Sequence, residues 1–334
     1  MGIFSRKRRV STDGLRLDQS WDDPELDAAY AAVRAGDDLS AGLGLLKASP
    51  ISTDLRAIRM TGLAHAAIGR SEQLQLRLQA IPGDPELLVW LAQTLVFEAW
   101  EVRTAQRAAN VSSQQFATFH DILRTANDVI TAAIDAAPDD ATPWCPLQWV
   151  ALGLQFSAQD KELVFANAVA RQPDSYLVHA RQVQILAPKW TRGPVEELLR
   201  FGRDTAYKTQ PYRALGTGIL SLVLAEAIVD IAQDQTRPQA ERDARLQSLI
   251  LDRRDMLLDA RANWWRPGHH PEPADIETHQ AAAYTLRLLS RPELAMEHAA
   301  HTMGRVSFNP WAMSAAGYDA LTGFATAVAD KMRT

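Results

Sequence analysis

The chain has 334 residues, enough for about two domains. Hydrophobic residues make up 47% and charged residues 22%, the balance of an ordinary globular protein with a sizeable core. Its 35 basic and 40 acidic side chains leave a net charge of −5, against the clustered positive surface of a general nucleic-acid binder, and its single cysteine excludes internal disulfides and multi-cysteine zinc sites.

The first residues carry Arg6, Lys7, Arg8 and Arg9, followed by Ser11, Thr12 and Asp13 rather than an apolar run. This is no secretory signal, and residues 1–20 are expected to form a basic, flexible tail. With the lone cysteine, it points to a cytoplasmic protein.

From there the spacing predicts helices near 24–35, 39–47, 53–69 and 71–80. Prolines then mark the stops: Pro50, Pro82, Pro138, Pro173, Pro211, Pro267 and Pro310. Several stand in a stop–start phrase, such as Pro82-Gly83-Asp84-Pro85, Pro138-Asp139-Asp140 and Pro173-Asp174-Ser175. Proline ends one helix, and the Asp or Ser that follows caps the free amides of the next. After Pro85, Leu88, Leu91, Leu95, Ala99 and Val102 recur at steps of three and four; Phe116, Phe119, Leu123, Ala126, Ile130, Ala133 and Ala137 do the same. Further helices are predicted at 143–156, 160–172, 174–187, 194–208, 212–233, 238–263, 273–289, 292–305 and 310–332. The uncharged run Ala214–Ala225 meets Glu226 and Asp230, short of the ~20 apolar residues of a membrane span, and reads as a core helix. Tyr176 to Leu186 alternates enough to resemble a strand, but no hairpin signal accompanies it. The chain is expected to be all-α.

Three of the proline intervals bracket the ~34-residue period of a helix–turn–helix repeat. Trp144, Leu147, Ala151, Phe165, Ala168 and Pro173 follow the order of the tetratricopeptide signature. Over about 51–211, and more loosely onward, the chain therefore resembles the tetratricopeptide superfamily. The phrase Lys189 to Leu199, with Phe201 and Arg203, resembles an uncharacterised bacterial family of helical-repeat proteins. The first resemblance implies a right-handed superhelix of antiparallel helix pairs over 21–334; the second implies no chemistry. Long pairs are expected at 85–138 and 212–267. The segment 310–332, with Trp311, Tyr318, Leu321 and Phe324, is expected to cap the array.

Catalytic motifs are lacking. There is no phosphate loop and no nucleophile elbow, and no catalytic residue or cofactor is assigned. Cys145, at a predicted helix start, reads as a buried structural residue more readily than as a nucleophile. His269, His270 and His279, or Glu297 with His298 and His301, are weak metal candidates, since two histidines and a carboxylate suit zinc or iron. They support an alternative expectation, a metal-dependent hydrolase in the C-terminal third. The principal expectation is a non-catalytic scaffold for a protein or peptide partner, without nucleic acid or a membrane span. Its candidate contacts are Lys189, Trp190, Arg192, Trp264, Trp265 and Arg266, because tryptophan beside arginine in a loop is the chemistry of interface hot spots. The competing reading makes each tryptophan a plug between stacked helices.

Overall fold

The computed structural model describes residues 16–17, 19–36, 39–103 and 113–306. The expected cap at 310–332 and the basic cluster Arg6 to Arg9 lie outside them. Apart from one two-residue strand pair, the described residues form helices and turns, so the all-α expectation holds. The chain divides into two compact units, Asp22–Gly193 and Met1–Trp21 with Pro194–Thr334.

In Asp22–Gly193 the helices are α1 (Pro24–Ala35), α2 (Ser40–Lys47), α3 (Asp54–Ala66), α4 (Ser71–Ala80), α5 (Pro85–Arg103), α6 (Ser113–Ala136), α7 (Trp144–Gly153), α8 (Ala158–Arg171), α9 (Tyr176–Leu186) and the single turn α10 (Pro188–Thr191). The stop–start phrases mark the helix boundaries, but only the first supplies the expected side-chain cap, since the residues before α7 and α9, Pro143 and Ser175, provide none. Asp84 Oδ1 accepts from the Leu87 amide at 3.0 Å with Pro85 opening α5, and Asp140 Oδ1 accepts from Thr142 N at 2.9 Å before α7. Asp23 caps α1 in the same way, and Gly36 ends that helix at φ 89°. The α6 stripe Phe119, Leu123, Ala126, Ile130 and Ala133 is buried, as its spacing predicts.

Packing follows the pair order, with α5 on α6, α7 on α8, and a ladder α3–α5–α7–α9. An open array confines each unit to its neighbours. Here α9 also meets α3. The reason is polar and long-range. Asp54, the first residue of α3, accepts from the Tyr176 amide at 3.0 Å and from Ser175 Oγ at 3.2 Å, fastening the start of α9 to the start of α3. Arg56 and Arg59, one turn on, are also buried and paired, Arg56 with Asp140 and Arg59 with Asp23. The segment 176–186 is therefore a helix, with Tyr176, Val178 and Val183 fully packed.

The second unit contains β1 (Arg16–Leu17), α11 (Val195–Lys208), α12 (Ala214–Gln233), α13 (Gln239–Trp264), α14 (Asp275–Leu288), α15 (Pro292–Ala300) and β2 (Arg305–Val306). Helix α12 packs on α11, α13 and α14, and α14 packs on α15. By length and composition α12 is apolar enough to cross a membrane, yet 78% of its most apolar stretch is buried within the protein, which fits a core helix. Leu220, Leu224 and Ile228 pack there with Leu249, Leu257 and Leu286. Two expectations are corrected. Residues 16–20 are not wholly tail: β1 pairs in parallel with β2, and Ser20 is buried. The helix expected to reach 305 stops at Ala300, because the chain turns at Thr302–Gly304, with Gly304 at φ 74°, and enters β2.

Candidate functional site

Two aromatic clusters hold the residues singled out by sequence, one in each unit.

In Asp22–Gly193, Lys189, Trp190 and Thr191 lie in α10 rather than in the loop expected from the sequence. Pro188 opens that turn, and Arg192 closes it in the left-handed conformation, φ 56°. Lys189 and Arg192 are exposed and Trp190 is half-buried. The Trp190 ring stands edge-on to Trp100 with centroids 5.9 Å apart, and Trp100 in turn meets Trp149 at 5.3 Å and Phe119 at 5.1 Å. The Arg103 guanidinium is 5.1 Å from the Trp100 ring and 5.0 Å from the Trp190 ring. Such stacking over an indole face is attractive, and more so when desolvated.

Arg103 is only 8% exposed and has no carboxylate or hydrogen-bond acceptor among the described residues. Burial alone pulls its pKa below the ordinary arginine value, yet a guanidinium does not give up its proton in a protein. The indole N–H groups of Trp100 and Trp190 are likewise buried without an acceptor. Over nine in ten buried polar groups find a partner, so two indole donors lacking one in a single cluster, beside a guanidinium stacked on both rings, are a marked departure. Trp100, Arg103 and Trp149 were absent from the sequence expectations. The spacing Trp100-x-x-Arg103, which sets both on one helical face, was the available signal.

In the other unit, Trp264, at the end of α13, is 1% exposed and fills the core, where it offers a partner no face. Trp265 is half-buried, and its indole N–H donates to Glu297 Oε1 at 3.2 Å. Arg266 lies 4.0 Å over the Tyr212 ring. Around the two tryptophans the structure gathers His269, His279, His298 and His301; His270 is exposed. The two histidine sets separated in sequence thus become one cluster.

Its hydrogen bonds fix the protons. Arg261 Nε donates to His298 Nε2 at 2.7 Å, so the His298 proton sits on Nδ1. That proton is shared with His279 Nδ1 at 2.8 Å, which leaves the His279 proton on Nε2. Both rings are neutral. Burial pushes His279 down to about 2, with neighbouring His298 adding to it, and pushes His298 down to about 3, with Arg261 adding to it. Arg261 Nη2 also meets Glu297 Oε2 at 2.7 Å. His269 Nε2 lies 2.9 Å from Asp275 Oδ2, which accepts from the Glu272 amide as well. Both nitrogens of His298 and Nδ1 of His279 are engaged within the protein, whereas His269 Nδ1 and Asp275 Oδ1 are buried without a partner; among the described residues no group of three or more His, Cys, Asp or Glu is arranged to hold a metal. The cluster is a polar brace for α13, α14 and α15.

No protein-family model, curated protein or solved structure matches the chain.

Proposed function

We propose that the chain is a non-catalytic interaction scaffold of the cytoplasm that engages a protein or peptide segment at the Lys189–Trp190–Arg192 turn. One observation carries this reading: Trp190 is held half-exposed by Trp100 and Arg103, with exposed Lys189 and Arg192 on either side of it in the chain. A rigid aromatic with a forked cation nearby gives large contact area at low ordering cost. The scaffold itself is read as tetratricopeptide-like, a right-handed superhelix of helix pairs. The ladder α3–α5–α7–α9 and the signature residues around Trp144 support that reading, and the return of α9 onto α3 would make the turn a tight one. Trp264, enclosed by its own core, is left out of the interface.

The experiment is selection of binding segments from a random peptide library, followed by affinity measurement on variants. Trp190→Ala should weaken the selected peptides by about thirtyfold, the loss of a ~2 kcal/mol hot spot, while the melting temperature stays within a few degrees. Affinities unchanged by Trp190→Ala, or a library that yields no binder, would remove the turn from any interface. A large fall in melting temperature would make Trp190 a core plug instead.

A further inference from the structure

We infer that the edge of the Trp100–Trp190–Arg103 cluster is a carboxylate-binding site, taking either the C-terminal carboxylate or an acidic side chain of the bound segment. The inference rests on the reading of the Lys189–Trp190–Arg192 turn as an interaction surface and names the chemistry recognised beneath it.

The charge balance comes first. Arg103 is held at the end of α5 with 8% of its surface exposed and no anion within reach among the described residues. The adjoining stretch 104–112 contains no Asp or Glu to supply one. A buried charge left unpaired is costly, and a chain tolerates it where a ligand completes the pair. The donor inventory comes second. The guanidinium brings five N–H groups in a planar fork, and the Trp100 and Trp190 indoles add two more donors, both buried and both without an acceptor. Among the described residues no acceptor side chain bonds these indoles, so the cluster lacks there the one component a carboxylate provides. Valence comes third. Among the described residues Arg103 is the one buried cation of the cluster, with Lys189 and Arg192 exposed at the surface. One carboxylate neutralises it, whereas a phosphate dianion would leave a second negative charge without a cation. The planar fork matches a planar carboxylate in geometry as well as in charge. Phe119, which is buried, and half-buried Trp149 lie behind Trp100 and lower the local polarity around the charge-assisted hydrogen bonds that would form.

The test uses the full chain, with its tryptophan indoles observed by 15N–1H NMR. The Trp100 and Trp190 signals are assigned from Trp100→Phe and Trp190→Phe. The probes are acetyl-Gly-Gly-Leu as the free acid, the same peptide as its amide, acetyl-Gly-Glu-Gly-amide, and inorganic phosphate. The free acid, the glutamyl peptide or both should move the two signals saturably, and the amide should not; which of the two acts tells a chain terminus from a side chain. Arg103→Met should raise the Kd for the active probe at least about tenfold, with Arg103→Lys between it and the wild type. The inference is overturned if the two signals stay fixed up to about tens of millimolar of both the free acid and the glutamyl peptide, if the amide moves them as the free acid does, or if phosphate binds at least as tightly. The acid–amide comparison is made on the wild-type chain and so survives a variant that fails to fold. If library-selected peptides lose affinity on Trp190→Ala but not on Arg103→Met, the carboxylate site fails while the interaction surface stands.

Discussion

Arg56 Nε and Asp140 Oδ2 meet at 2.8 Å across 84 positions of sequence, with both side chains almost fully removed from solvent. Arg56 also donates to the Leu46 carbonyl and lies 3.5 Å from Glu86, while Asp140 Oδ1 accepts from Ser52 N, Thr142 N and Thr142 Oγ1. One ion pair thus joins the start of α3 to the turn before α7. Breaking a buried pair costs more than the pair contributes, because the surviving charge stays buried. Asp140→Ala should lower stability by about 3–5 kcal/mol, read from urea unfolding. A loss under about 1 kcal/mol would show that Glu86 alone can balance Arg56.

Acid should loosen the helix pair α14–α15 before the carboxylates titrate. His279 and His298 sit at about 2 and about 3 in the folded chain against 6.5 when free. Between those values the unfolded chain binds two protons that the folded chain refuses. The stability tied to the pair is complete above about pH 6.5 and is lost as the pH falls, by about 1.4 kcal/mol per unit for each ring. A melting temperature that drops between pH 6.5 and 5, and drops less in a His279→Gln/His298→Gln double variant, is the expected result. A flat profile over that window would mean that the rings are hydrated.

Cys145 should be inert. It is 1% exposed, and burial pushes its thiol up to about 11, with nearby Arg181 only partly opposing this. A thiol-reactive chromogenic disulfide at pH 8 should fail to modify the native chain and should label one thiol in urea. Rapid native labelling would restore the nucleophile reading of the Trp144-Cys145-Pro146 helix start.

Gly42→Ala sets two effects against each other. Alanine in α2 gains about 1 kcal/mol of helix propensity. Its Cβ would fall 2.5 Å from Trp90 Cη2, and Trp90 is fully enclosed. Overpacking of this kind costs about 1–3 kcal/mol, so the variant should be less stable in chemical denaturation. A more stable variant would show that the indole can shift.

Helix content was legible because proline punctuates it: Asp84-Pro85 places a helix start that local chemistry determines, whereas the turn ending in Asp140 is also held by distant Arg56 and Ser52. The buried stripe of α6 was equally plain, since only period matters there. The return of α9 onto α3 was not. It depends on Asp54 finding the Tyr176 amide 122 positions away, and nothing local to either residue announces the match. The same holds for β1 and β2, two residues each, too short for any alternation to register. At the site, Trp190 with its cationic neighbours was legible as a contact candidate. Arg103 was hidden because its distinction is a missing partner, which a sequence does not display. The convergence of His279 and His298 was half visible: each lay on an apolar stripe, but their shared proton required α14 and α15 to meet.

The parallel pairing of Arg16–Leu17 with Arg305–Val306 has a consequence for biosynthesis. Gln280 Nε2 reaches Ser20 Oγ at 3.4 Å over 260 positions, so the second unit is assembled from both sides of an intervening, contiguous one. On the ribosome, Asp22–Gly193 has all of its own residues available once position 193 has emerged. The segment before it must wait through the synthesis of more than a hundred further residues before its strand partner exists. Closing so long a loop is an entropic cost met only at the end, which makes the β1–β2 clasp a late event in folding.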